Sequence, residues 1–385
     1  MIWRVARVVA LGAALGAALH ATACAGARTI DPLAPARDHR IGRAVLSLAW
    51  TAPIHARGSH TAQEFAAPAI AREGRVELVV VGSQGGTLRA LRERDGRVAW
   101  RRSIGSTSAQ ALIHRARVYL GTDDGALVAL DAWNGTELWR HATSGAILHA
   151  PVLSGSLLHV ATDADQVITV ELGSGKRLWQ HGRETPDEFS LRGHAGITTD
   201  GERVFCGFSD GQLVALSAQT GAVLWERSLA GTERRFVDVD ATPLLAHGAL
   251  YAASATGGLY ALDPADGTIR WQTAISGVTG LAADADALYV AAAETGLHAI
   301  ATDGQVLWRQ GLSGAGDPSP PVVHGDLLFV TTAARGLFVV ARKSGELFDA
   351  FDPGTGISAS PVLVGDRLYL HSNGGQLYAM SIAAP

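Results

Sequence analysis

The sequence predicts an all-β fold: an eight-bladed β-propeller of four-stranded antiparallel blades, with an N-terminal strand closing the last blade. Three observations carry that expectation. One strand pattern recurs eight times, most copies lead into a glycine turn and a tryptophan, and each end of the chain holds part of an incomplete blade.

The recurring strands lie at 86–91, 125–130, 166–170, 211–216, 258–262, 296–300, 336–340 and 375–380. Each runs from glycine into apolar alternation, through a polar position in 86–91, 211–216 and 375–380, except the third, which lacks the glycine. Turn glycines follow at Gly96, Gly135, Gly175, Gly221, Gly267, Gly304 and Gly345, where a short hairpin needs positive φ. Trp100, Trp139, Trp179, Trp225, Trp271 and Trp308 each stand four residues beyond their glycine; the seventh unit has Asp349 there instead. Two further strand signals precede each pair, for example 150–153 and 157–160.

The tryptophans are 39, 40, 46, 46 and 37 residues apart, with 41 more to Asp349. Four-stranded repeats of about 40–50 residues are propeller blades. A single blade cannot bury both faces, so neighbours must stack about an axis. The flat indole suits the wedge between blades, and small residues such as Ala129, Ala215 and Ala261 permit close approach. The last unit offers strands at 360–363, 367–370 and 376–380 but no fourth, while 45–50, ending in Trp50, belongs to no unit. Pairing the two closes the ring and removes an exposed edge.

Residues 43–385 are thus the expected propeller, preceded by two other segments. Arg4 and Arg7 lead an uncharged apolar run of 12 residues, Val8 to Leu19. That is too short for a bilayer, which needs ~20 residues, and reads as a secretory signal over 1–23. Ala21, Thr22 and Ala23 run into Cys24, which stands where an acylated lipoprotein cysteine would. Residues 24–42 then form a tether. Without the signal the basic count falls to 30 against 36 acids, a balance of −6 with no footprint for nucleic acid. Membrane attachment would be through the N-terminal lipid alone. Cys206 sits in an apolar strand and reads as a buried apolar residue.

Catalytic motifs are absent: no Gly-x-Ser-x-Gly, His-Glu-x-x-His, phosphate loop or Cys-x-x-Cys occurs. His114, His247 and His324 precede second strands as polar turn residues. Asp163 with Asp165, and Asp284 with Asp286, lack the further ligands of a calcium loop. Asn134-Gly-Thr136 is formally a glycosylation site that the hairpin turn already explains. The units resemble quinoprotein repeats, yet the chain has no adjacent cysteines and only two asparagines, Asn134 and Asn373. Repeat and fold do not license the dehydrogenase activity. No enzyme activity, cofactor or metal is expected.

Two longer connections account for the 46-residue spacings, at 180–193 and 226–243. They leave successive blades and should share one rim. Phe189 and Leu191 beside Arg192, Asp238 and Asp240 give apolar anchors ringed by charge, as a protein-docking patch requires. The alternative is that the acids pair with nearby arginines and cap the rim.

Residues 190–193 and 238–243 look like the corresponding stretches of the BamB family, lipoproteins of the outer-membrane β-barrel assembly (BAM) machinery. The resemblance extends over the mature chain, with Phe189, Ala21 and the seventh unit's missing tryptophan as departures. It implies a scaffold without cofactor, lipid-anchored at Cys24 on the periplasmic face of the bacterial outer membrane. It further implies docking on the POTRA domains of BamA, through Phe189, Leu191 and Arg192 in one loop and Asp238 and Asp240 in the next. Nascent outer-membrane proteins are the implied clients; whether they touch the propeller is left open. Two other readings stand beside it: a generic propeller module of another envelope complex, and a small periplasmic quinoprotein dehydrogenase.

Overall fold

A computed structural model describes residues 45–55, 63–73, 76–183, 195–230, 238–312 and 314–383. The expected signal, tether and Cys24 lie outside the described residues. Within them, thirty-two strands pair into eight antiparallel sheets of four. Blades 1 to 7 follow chain order at 69–103, 112–142, 152–182, 197–228, 244–273, 278–310 and 322–351. Blade 8 takes Val362–Val364, Arg367–His371 and Gln376–Ile382 from one end of the chain and Leu46–Pro53 from the other. The closing strand runs in register from Leu46 opposite Ile382 to Pro53 opposite Gln376. No helix of the described residues is long and apolar enough to cross a membrane.

Burial follows radius. The second strand of blade 5, Ala249–Ser254, is buried throughout, whereas outer strand Val223–Ser228 of blade 4 buries only Trp225. That tryptophan lies across the ladder from Ala215, just as Trp100 faces Ala90, Trp139 faces Ala129 and Trp271 faces Ala261. A small residue under each indole lets the ring lie flat and reach the neighbouring blade.

There the indole N–H donates to a backbone carbonyl. Trp50 bonds Glu93 (2.8 Å), Trp100 Ala132 (2.8 Å), Trp139 Leu172 (3.2 Å) and Trp179 Ala218 (2.9 Å). Trp225 reaches Pro264 (3.1 Å), Trp271 Thr302 (2.8 Å) and Trp308 Arg342 (2.9 Å). Each ring also covers the next blade's turn glycine. A β-carbon on Gly96, whose φ is +69°, would lie 2.5 Å from the Trp50 ring; one on Gly221 would lie as close to Trp179. The glycine therefore answers two demands, a left-handed turn and room for the preceding blade's indole.

The third repeat lacks glycine because Asp165 takes its place at φ +52°. Aspartate tolerates that region better than most residues. Its carboxylate accepts a bond from the Ser209 backbone N–H (3.1 Å) and another from the Ser209 hydroxyl, tying blade 3 to blade 4.

The seventh unit's missing tryptophan has an equally local cause. Blade 8's third and fourth strands come from opposite ends of the chain, so no hairpin joins them and no turn glycine waits for an indole. Asp349 occupies the tryptophan position, buried, and its carboxylate accepts the Val45 N–H at 2.9 Å. Val45 returns the constraint by accepting the Ala383 N–H at 2.8 Å. Asp349→Ala should cost about 1–3 kcal/mol by orphaning a buried donor. Asp349→Trp, which restores the repeat's usual residue, should also lower the melting temperature. A tryptophan variant as stable as the parent would show that the missing hairpin is not the reason for the aspartate.

Three buried histidines make the ring acid-sensitive. Burial pushes His159, His298 and His371 down to about 4. His159 replaces the Tyr or Phe of several other blades, packing 5.8 Å from Trp179 with Nδ1 at 2.6 Å from the Thr169 hydroxyl. The unfolded chain takes up these protons near pH 6.5 and the folded one only near pH 4. Stability is therefore full above pH 6.5 and lost as pH falls toward 4, on the order of 3 kcal/mol per histidine. Denaturant unfolding between pH 7 and 4 should show this slope, and His159→Tyr should make it shallower. An unchanged slope in that variant would remove His159 from the account.

Candidate docking face

Each blade's outer strand crosses one face of the ring to reach the next blade's inner strand. Along the way it lies beside the turns between second and third strands. A backbone bond fixes the short crossings: Ile147 N–H donates to Thr122 O (3.1 Å) and Ile357 N–H to Thr332 O (2.9 Å). The two long connections leave outer strands Arg177–Gly182 of blade 3 and Val223–Ser228 of blade 4. Blade 4 stands between them, and its turn at 208–211 holds both.

On the first side, Arg183 follows directly on the strand. Its guanidinium donates to Asp210 at 2.6 Å and to Glu226 at 2.9 Å, and lies 5.8 Å from the centre of the Phe208 ring. Burial works against its charge, yet the hydrogen bonds and charges of Asp210 and Glu226 prevail and keep it protonated. The His181 ring meets the edge of Phe208 at 5.9 Å, and burial together with Arg183 pushes its pKa down. The first loop thus departs from a rigid, charged base.

On the second side, Val239 is the anchor. Its N–H donates to Phe208 O at 3.3 Å, and its side chain fills the space beside Gly207, where an added β-carbon would lie 2.3 Å away. Asp238, just before it, accepts the Ala255 N–H of blade 5 at 2.9 Å through its carbonyl. The stretch is wedged between the turns of blades 4 and 5. Thr242 then accepts the Gly196 N–H at 3.0 Å, linking the far end of the first connection to the second.

Of the residues expected to form the patch, Phe189, Leu191 and Arg192 lie outside the described residues. Asp240 is half-buried, with one carboxylate oxygen turned inward. Asp238 is only 4% exposed, so its place is in the wall of the face, where it sets the backbone course. Arg183, Phe208 and Val239 were not singled out from the sequence. Their signal was faint: Arg183 is one polar residue after a strand, and Val239 is an apolar residue between two acids.

The Asp-x-Asp pairs have structural uses. Asp163 accepts the Ala146 N–H at 2.7 Å and Asp165 serves blade 4 as described. Asp284 accepts from the Tyr289 hydroxyl (2.8 Å) and Arg342, and these with two backbone N–H bonds outweigh burial and hold it at about 2. Nor is His247 a bland turn residue; it adopts φ +52° with Nε2 2.6 Å from Asp284 O. Among the described residues no three His, Cys, Asp or Glu side chains are grouped to hold a metal.

Comparison with known proteins adds the following. A family model described as "Outer membrane protein assembly factor BamB" matches residues 84–303 and 293–384. A protein of that name from Shewanella oneidensis is 29% identical over 145 residues, 36% of each chain. Another from Burkholderia pseudomallei is 28% identical over 203 residues, 51% of each chain. These alignments span about a third to a half of the curated relatives' length. The crystal structure of BamB from Moraxella catarrhalis superposes with a TM-score of 0.75 at 23% identity, over 88% of this chain and 100% of that one. At that identity it speaks for the fold alone.

Proposed function

The chain belongs to the family of outer membrane protein assembly factor BamB, and from that membership we propose that it is a non-catalytic scaffold of the BAM complex that docks on BamA POTRA domains and aids insertion of β-barrel proteins. Residues 1–23 are then a signal peptide and 24–42 a tether, with the acylated Cys24 holding the propeller on the periplasmic face of the outer membrane. The observation that carries the docking assignment is the turn 208–211, which fixes the bases of both long connections. A surface preorganised in this way loses less conformational entropy on binding than two independent loops would. Leu191, Phe189, Arg192 and Asp240 supply the contacts, while Arg183, Val239 and Asp238 position them.

Titration calorimetry against the POTRA domains of the same organism's BamA tests the docking. Leu191→Ala or Arg192→Ala should cost ~2 kcal/mol or more, ~30-fold in affinity, with melting temperature unchanged. Arg183→Ala should weaken binding through loss of positioning. The reversed pair Arg192→Asp with Asp240→Arg should stay defective, because each residue faces the partner. Recovery of affinity in the double variant would instead make the two a private ion pair. Absence of any binding by the parent would favour a generic propeller module of another envelope complex.

The anchor has a separate test. Cys24→Ala, expressed in a Gram-negative host, should move the protein from the membrane pellet to the soluble periplasmic fraction. If the variant pellets as the parent does in high salt, attachment is not through that cysteine.

A further inference from the structure

Eight repeats allow each position to be compared with its seven equivalents. The third residue of each third strand faces the neighbouring blade. It is Val128, Ile168, Val214, Tyr260, Phe338 or Tyr378 in six blades and His298, 1% exposed, in another. In blade 1 it is Arg89. An arginine at a packing position costs stability, and this one is half-buried. Its cross-strand partner makes matters worse, since Arg89 pairs directly with Arg101. Like charges directly opposite in a sheet repel. Burial first, and Arg101 second, push the Arg89 pKa down.

Among the described residues nothing compensates. Arg183, Arg203 and Arg342, also half-buried, each have a carboxylate. Among the described residues Arg89 and Arg101 form no ion pair. One Arg89 Nη donates to Pro53 O of blade 8 at 2.9 Å, which turns the guanidinium into the cleft between blades 8 and 1, and its buried Nε has no acceptor. A buried donor without a partner signals strain or an absent ligand.

The surroundings are equally biased. Residues 69–103 hold eight arginines against four acids, in a chain whose net charge is −4. Among the described residues Val98–Ser103, the outer strand of blade 1, has no strand on its outer edge, and it exposes Val98 and Ala99 beside Arg101 and Arg102. Arg102 spends its donors on three backbone carbonyls, Gly135 O, Asn134 O and Arg101 O.

We propose that Arg89 and Arg101 form a carboxylate-binding clamp for an acidic, extended segment of a partner polypeptide, lying along the outer edge of blade 1. A guanidinium edge matches the two oxygens of a side-chain carboxylate, and a protruding side chain reaches this half-buried guanidinium more readily than a flat lipid surface does. The unpaired strand edge and exposed Val98 suit a polypeptide backbone with apolar side chains. Blade 1 stands three blades from blade 4 around the ring, so the clamp shares no residue with the docking face. It rests on none of the docking reading, and either can fail alone.

Fluorescence anisotropy with a labelled synthetic peptide of alternating glutamate and valine, at low salt, tests the clamp on the full chain. The parent should bind it, and Arg89→Val or Arg101→Gln should bind about tenfold less tightly. Arg89→Val, which installs the residue of blades 2 and 4, should melt no lower than the parent. Three results would overturn the proposal: equal affinity in both variants, no binding by the parent, or a large drop in the melting temperature of Arg89→Val. Arginine-dependent binding to phosphatidylglycerol vesicles or inorganic phosphate, with none to the peptide, would overturn it in favour of a phosphate ligand.

Discussion

The indole of one blade lying over the turn glycine of the next is the contact on which the ring depends. It couples three positions that are distant in sequence. The tryptophan needs a small residue across its own ladder, an open glycine in the following blade, and a carbonyl beside that glycine for its N–H. Each blade but the seventh contributes an indole forward, and each but the eighth a glycine backward, so the contact has a direction. The bond is modest, about 1 kcal/mol net, but seven recur around the ring and each also buries much of an aromatic ring. Blade 3 shows the coupling at work. Thr169 replaces the usual alanine beneath Trp179, and the adjoining aromatic position becomes His159, hydrogen-bonded to that threonine.

Closure places the greatest demand on this scheme, because the chain's two ends must meet in one sheet without a connecting turn. The Trp50 side of blade 8 obeys the rule toward blade 1, with its N–H on Glu93 O. Glu93 is further held by Arg72 and by the Tyr369 hydroxyl at 2.8 Å, so blades 8 and 1 share a polar lock as well as an indole. On the other side the rule cannot apply, and Asp349 exchanges an aromatic contact for a hydrogen bond to the entering strand. A carboxylate is suited to that role because a strand's first N–H otherwise has no partner in the ladder.

Architecture was legible in the sequence because repetition amplifies a weak signal. One Gly-to-Trp spacing is a hairpin; six in register are a ring, and the orphan strand at Trp50 found its place by subtraction. The site was legible only in part. Unequal spacings exposed the long connections, but which residues carry contacts and which carry the backbone depends on burial. Composition could not tell Asp238 from Asp240: the first is buried and the second half-buried. Arg183 escaped notice since its partners, Asp210 and Glu226, are 27 and 43 residues away. His247 and the Asp-x-Asp pairs read as loop residues for the same reason, as their partners belong to other turns or other blades.

Repetition also separates what the fold requires from what it tolerates. Every blade solves the same packing problem, so a residue that departs from its seven equivalents needs a local cause. Asp349 has one in the missing hairpin, and Asp165 has one in the left-handed turn it shares with Ser209. Around blade 4 the departures form a rigid base for two loops, consistent with a surface shaped for a partner. Arg89 has no such cause. A hydrophobic residue would pack better in its place, no carboxylate among the described residues answers its charge, and Arg101 opposes it directly. Departures that fold stability does not explain are where function is expected to reside. By that measure the two proposed working sides of the ring are the face above blade 4 and the cleft between blades 8 and 1.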